Sequence, residues 1–344
     1  MGDKIIFSED YYRQIVRDNG YDTFELQRFD FELAGVLRDE LNMRYLCHHA
    51  AQRYVNARPD NRVITTGFGM SGPPHMATAS HIMKMVRLQE GGEKCQIVLG
   101  DLDAYNGRAR SLDFTREMAE RFRIFAKNLG FDDTAGILRG QEGDHDTLAV
   151  MYLLGRYAED QDFEGAEEDN HAYYASHGIV DSTMTFRRRL SLSLMAADFI
   201  SLGQTYDAVL VMLGVDEHKY VRFSQRVASR FDDQTPLRNS FALSALYARL
   251  NVGFGGHPKF SKSIPESSIS VESTSDDIRR LVMSDDALRP ELSPVYQLMY
   301  QTTYCSMEDL VRHYVECENR SSAWTKIRSN FTDYLVSVRD MWPR

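Results

Sequence analysis

Strand-like and helix-like stretches alternate from about residue 61 to residue 231, and that order restricts the fold more than any other feature of the chain. A β-branched run at 63–66 meets a turn containing Gly67, Gly69, Gly72, Pro73 and Pro74. The turn delivers His75 to a helix with apolar residues at Ala79, Ile82, Met83 and Val86. Gly91 and Gly92 stop that helix, and 97–99 is the next buried run. An amphipathic helix with apolar residues at 114, 118, 122, 125 and 129 ends at Gly130. The series continues with a strand at 135–139 and a helix through Leu148, Met151, Leu154 and Tyr157. A helix over 187–203, a buried strand over 206–214 and a helix through Tyr220, Val221, Val227 and Phe231 follow. These four strand-like runs predict an α/β fold with a Rossmann-like, doubly wound parallel sheet, expected to hold five strands over 61–265, and its ligand at the strand C-termini.

Within that frame a few stretches carry chemistry. Glycines in the first turn would let backbone N–H groups approach a phosphate beside a helix N-terminus, although many parallel sheets turn into helices through glycines, so the turn alone leaves both readings open. Asp101 and Asp103 fall at the C-terminal end of the second strand, where such sheets bind ligands. Residues 253–265 combine glycines, prolines and serines with Lys259 and Lys262, the composition of a mobile loop; the lysines suit a phosphate that changes charge, and a plain solvated basic loop has the same composition. Seven carboxylates in 159–169, with no apolar period and no EF-hand spacing, predict a solvated acidic loop. Ser273 and Asp276 form a capping pattern before a short helix, and apolar faces over 293–342 predict three helices in a C-terminal bundle spanning 266–344. Residues 1–60 form an N-terminal extension with Leu33, Leu37, Leu41, Tyr45 and Leu46 on one helical face. The adjacent His48 and His49 cannot share such a face, which argues against a paired-ligand role.

Composition narrows the function classes. At 344 residues, 43% hydrophobic and 26% charged, the chain has the make-up of a globular protein with a sizeable core. No apolar run has transmembrane length and the N-terminus lacks a basic-then-apolar leader, so a cytoplasmic protein with no membrane partner is expected. Four cysteines without a CxxC pair predict buried free thiols and no zinc or other metal cluster. A net charge of −10 excludes a main role in non-specific nucleic-acid binding, so any RNA contact must use a local patch.

Taken in order, PHMAT (74–78), LMAAD (194–198), GVDEH (214–218) and KFSKS (259–263) resemble the motifs of the class I aminoacyl-tRNA synthetases. The resemblance is specifically to tryptophanyl-tRNA synthetases of eukaryotic and archaeal type, and spans about 60–340. It implies activation of an amino acid by ATP, with Mg2+ carried on the triphosphate, and transfer from the adenylate to tRNA. PHMAT aligns with the HIGH element and KFSKS with the KMSKS loop, which would make His75, Thr78, Lys259 and Lys262 the catalytic residues. Gly67, Gly69, Ser71, Ala77, Gly214, Asp216, Ser261 and Ser263 would bind ATP, Asp216 through the ribose hydroxyls. Ser191, Met195, Asp198 and Glu217 would line the amino-acid pocket, with Asp198 accepting a side-chain N–H such as that of an indole. A helical insertion at about 140–200 would carry a homodimer contact.

Departures from the family pattern point to a divergent enzyme. The third HIGH position, glycine in the family, is Ala77; the glutamine after the ribose aspartate is Glu217; a pocket tyrosine is Ser191. The chain also stops soon after YLVSVRDMW, where the family usually continues. Three expectations follow: a synthetase-like enzyme acting on tryptophan or a related aromatic, with tRNA or another acceptor; an ordinary tryptophan–tRNA ligase; or a relative that binds aminoacylated or free tRNA without activating an amino acid.

Overall fold

The alternation produces the parallel sheet it predicts, with a sixth, antiparallel strand added at one edge. A computed structural model describes residues 7–24, 33, 35–36, 38–302 and 304–344. From the N-terminus, α1 (Glu9–Asn19) and α2 (Arg38–Arg44) precede β1 (Cys47–His49) and α3 (Ala51–Val55). Then come β2 (Arg62–Gly69), α4 (Met76–Glu90), β3 (Cys95–Gly100), α5 (Asp101–Gly107), α6 (Leu112–Asn128) and β4 (Ile137–Gly140). The inserted helices α7 (His145–Leu154), α8 (Asp160–Phe163) and α9 (His171–Ser176) lead into α10 (Phe186–Thr205), which returns to β5 (Ala208–Gly214), α11 (His218–Ala228) and β6 (Ala242–Ala248). Four helices, α12 (Ser275–Met283), α13 (Pro294–Gln301), α14 (Met307–Glu318) and α15 (Ser322–Asp340), make the C-terminal bundle.

Strand order is β1-β6-β5-β2-β3-β4, parallel throughout except for β1. Successive units run outward from β2 through β3 to β4, whereas β5 and β6 lie on its other side. The topological switch point therefore falls between β2 and β5, and a crevice opens beyond Gly69 and Gly214. The strand β6 has no β-branched residue, so periodicity does not reveal it; it packs against α3 on the face of Ser244, whose hydroxyl donates to the Ala50 carbonyl at 2.9 Å.

The N-terminal helix expected through Leu33 and Leu46 is shorter than the apolar spacing implies. Leu33 sits in an isolated bridge with Val36, the helix spans only α2, and Leu46 leads into β1; Leu37 lies outside the described residues. His48 and His49 are successive strand residues and so face opposite ways. At α12 the cap is one residue later than predicted: Thr274 accepts the Asp277 N–H at 3.1 Å, while Ser273 accepts from Ser270. One apolar core joins the sheet face under α4 and α6 to the C-terminal bundle, where Trp342 packs edge-on against Phe122 and Phe125. A second lies between α1 and the opposite sheet face, and a third fills the insertion between α7, α10 and α11. All four cysteines are buried and free. Among the described residues no helix is long and apolar enough to cross a membrane.

Candidate active site

A cavity of about 330 Å³ occupies the switch-point crevice. Its first wall is the turn after β2. The strand runs on to Gly69, so Gly67 and Gly69 are strand residues rather than part of the turn. At Gly69 a Cβ would stand 3.3 Å from Asp103 Oδ2, so glycine keeps β2 and α5 close. His75 is the N-cap of α4: its Nδ1 accepts the Thr78 N–H at 3.2 Å, which leaves Nε2 as the N–H of the neutral ring. Burial, then the charges of Lys262 and Lys259, push its pKa down to about 3, so the ring stays neutral at physiological pH.

The second wall is the end of β5. A Cβ at Gly214 would lie 2.7 Å from Asp216 Oδ1 and 3.0 Å from Leu250 Cδ2, so any larger residue would displace those side chains. A 3-10 turn (Val215–Glu217) follows and sends Asp216 and Glu217 to the cavity. Burial, then the neighbouring Asp216 and Glu168 charges, push the Glu217 carboxyl up to about 8. Across the cavity α10 contributes Ser191, whose hydroxyl donates to the Asp103 carbonyl at 3.3 Å, together with Met195.

The third wall corrects two expectations. Residues 253–265 are docked rather than a mobile loop: Phe254, Phe260, Ser261 and Ile264 are buried, and the Tyr174 hydroxyl donates to Ser261 Oγ at 3.1 Å. Lys262 donates to the Gly69 carbonyl at 2.7 Å, and Lys259 pairs with Asp216 and, at 3.2 Å, with Glu168. The acidic stretch is likewise folded in, because cations meet it. Asp162 is buried against Arg226 and Arg230, Glu168 reaches Lys259 and Arg108, and Asp169 takes Lys219 at 2.7 Å and the Tyr11 hydroxyl at 2.5 Å. Burial opposes the charge on Lys259, but Asp216 and Glu168 outweigh it and hold its pKa well above the usual lysine value.

Residues 192–322 match the family of class I tRNA synthetases (W and Y). The chain resembles the class I tryptophan and tyrosine synthetases. Its fold follows that of the tryptophanyl-tRNA synthetase from Aeropyrum pernix K1 with a TM-score of 0.80 at 17% identity, over 97% of this chain and 94% of that one. A tryptophanyl-tRNA synthetase homologue from Entamoeba histolytica gives 0.75 at 13%, over 98% and 93%. The tyrosyl-tRNA synthetase from Archaeoglobus fulgidus gives 0.69 at 16%, over 88% and 97%. No curated protein matches the sequence. The relationship is thus divergent, and the sheet with its helices has the Rossmann-like fold of those chains.

Against the class I motifs, the cavity gathers the four residues singled out as catalytic and all eight singled out for ATP, Ser71, Ala77 and Ser263 included. Of the amino-acid set it takes Ser191, Met195 and Glu217 but not Asp198. Asp198 lies behind the wall, where its oxygens accept from Arg139 and Gln141, both at 2.7 Å, and burial lifts its pKa to about 6. Asp103 lines the cavity, whereas Asp101 does not: its Oδ1 accepts the N–H groups of Leu102, Gln141 and Glu142 and ties β4 to α5. Sequence reasoning missed Glu168, Tyr174 and Arg108. The first was hidden in a charge run, and no local pattern marks the other two.

Proposed function

We propose that this chain activates tryptophan or a related aromatic amino acid with ATP and passes the aminoacyl group from the adenylate to tRNA or another acceptor. One observation carries the reading: the HIGH-like, GVDE and KFSKS elements, distant in sequence, line a single cavity at the switch point, with a neutral histidine, Lys259 paired to Asp216 and Lys262 on the Gly69 carbonyl. In-line attack of a substrate carboxylate on an α-phosphorus needs positioning and charge stabilisation more than a protein nucleophile. His75 Nε2–H and the Thr78 hydroxyl donate to the triphosphate, Lys259 and Lys262 follow the charge that grows on the leaving pyrophosphate, and Asp216 accepts from the ribose. Mg2+ would enter with the triphosphate, where it supplies charge neutralisation; among the described residues no group of three His, Cys, Asp or Glu side chains could hold a metal ion.

Glu217 fits this chemistry in spite of its departure from glutamine. With a pKa near 8 it is protonated at neutral pH, so it both donates and accepts, as an amide does, and brings no charge beside the substrate carboxylate. The competing reading, a protein that binds aminoacylated tRNA without making the adenylate, is favoured by the Lys259–Asp216 pair, which ribose and phosphate must break. Pyrophosphate exchange into ATP, run with each of the twenty amino acids and with modified aromatic ones, separates the two. Exchange with an aromatic amino acid supports activation; folded protein that exchanges with none overturns it in favour of binding. The homodimer and cytoplasmic location belong to the same proposal, resting on family resemblance.

A further inference from the structure

Lys259 has two carboxylate partners, and only one of them belongs to a motif. Asp216 comes from the turn after β5, whereas Glu168 comes from the insertion just ahead of α9, where its Oε2 accepts from the Lys259 ammonium at 3.2 Å. All three side chains are largely buried, Asp216 to 3% exposure and Lys259 and Glu168 to 13% each. The place of Glu168 is fixed by its neighbours. The Asp169 N–H donates to the Asp216 carbonyl at 3.0 Å, so the two acidic segments are bonded to each other through their backbones. The Asp169 side chain is itself held by Lys219 and the Tyr11 hydroxyl, and the Glu168 carbonyl accepts the His171 N–H at 2.9 Å as α9 begins. Arg108 stands 3.7 Å from Glu168 Oε1, which leaves Oε2 to the lysine. The Tyr174 ring on α9 lies 5.6 Å from the same ammonium, and its hydroxyl donates to Ser261 two residues on.

Ribose hydroxyls that donate to Asp216 compete with Lys259 for the same carboxylate oxygens. A buried ammonium with a single partner resists that competition, because losing the partner leaves a charge unpaired away from water. An ammonium shared by two anions gives up one and stays paired with the other. Given amino-acid activation as the function, with Asp216 as the ribose acceptor, on which the inference rests, we propose that Glu168 is a positioning residue: it takes over the Lys259 ammonium when ribose engages Asp216, and so keeps that lysine inside the cavity. It acts through Lys259. The flexible stem of a lysine suits this exchange, since one ammonium with three donors can turn from one oxygen to another without moving the backbone.

Calorimetric titration of the full chain with adenosine, which carries the ribose and no phosphate, tests the change of partner without requiring catalysis. Glu168→Gln leaves Lys259 with Asp216 alone and is expected to weaken adenosine binding about tenfold, the scale of one charge-assisted hydrogen bond. In a Lys259→Met background there is no ammonium to hand over, and Glu168→Gln is expected to change the affinity by less than about twofold. A merely structural Glu168 would cost the same in both backgrounds. A Glu168→Gln variant within about twofold of the parent, a loss that persists beside Lys259→Met, or a parent that binds no adenosine at millimolar concentration would each overturn the proposal. Should Glu168→Gln not fold, Glu168→Asp carries the comparison: it draws the carboxylate back by one methylene, and parent-like affinity there overturns the handover equally. A Lys259-dependent loss in a protein that shows no pyrophosphate exchange with any amino acid removes the activation reading and leaves Glu168 as the positioning residue of a nucleoside site. Exchange in a parent whose adenosine affinity is indifferent to Glu168→Gln does the reverse.

Discussion

On the proposed function, Glu217 departs from the family pattern and still does the work of an amide. Its carboxyl mimics an amide only while protonated, so activation should fall as pH rises through about 8, when a negative charge appears beside the substrate carboxylate. Glu217→Gln should remove that alkaline limb from the exchange rate, and an unchanged profile would sink the mimicry. The same shift has a stability sign: between the ordinary glutamate pKa and 8 the unfolded chain ionises Glu217 and the folded one does not, so folding loses stability across that window. Glu217→Gln should therefore raise Tm more at pH 8 than at pH 5. Lys262→Ala, which on the proposed function removes a positive charge from beside the leaving group, is expected to lower exchange by about two to three powers of ten, on the scale of other lost transition-state contacts. At this scale the residues that line the cavity were legible through the order and spacing of the motifs that carry the resemblance. Asp198 was not, because the motif places it on α10 without saying which face of the helix looks at the cavity; Arg139, fifty-nine positions earlier, takes it instead. Asp198→Ala should cost about 3 kcal/mol in urea unfolding, the usual order when a buried pair loses a partner.

Elements were legible where a period marks them and hidden where charge or small size masks them. The helices of the first sheet half and of the tail fall where apolar spacing puts them, but β6 is built of small residues and 159–169 of carboxylates. In both cases the partner supplies the missing half of the pattern: α3 packs on the Ser244 face of β6, and Arg226, Arg230 and Lys259 explain the acids. The KFSKS segment is misjudged for the same reason, since composition carries no sign of Tyr174 or of the Gly69 carbonyl. Asp162 anchors this arrangement. It accepts from Arg230 at 2.5 and 2.9 Å and from the Glu159 N–H at 2.9 Å, which fastens α8 to α11. Asp162→Ala should lower stability by about 2 kcal/mol, reduced from a fully buried pair because both arginines reach solvent. It should also raise amide exchange in 159–169 ahead of the rest of the chain. Uniform protection in the variant would mean that Asp162 does not anchor the segment.

At the scale of the whole molecule, the insertion and the neighbouring α5 leave apolar surface that one chain does not cover. Tyr152 on α7 is 84% exposed, Phe186 at the start of α10 is 75% exposed, and Tyr105 on α5 is 46% exposed, while α7 and α5 both pack against α10. Large aromatic rings in water at neighbouring elements mark an interaction surface. A second copy of the chain is the partner the family resemblance names, and a two-fold arrangement would bring the same surface to itself. Sedimentation at micromolar concentration should then give about twice the 39.5 kDa of one chain, and Tyr152→Glu combined with Phe186→Ser should return it to one. Every residue assigned to the cavity comes from a single chain, so the monomeric variant should keep most of its pyrophosphate exchange. If exchange instead disappears along with the dimer while the fold is retained, the insertion holds α9 and α10 in place only when paired, and the cavity depends on the partner for its shape. A parent protein already monomeric at that concentration would refute the self-association outright.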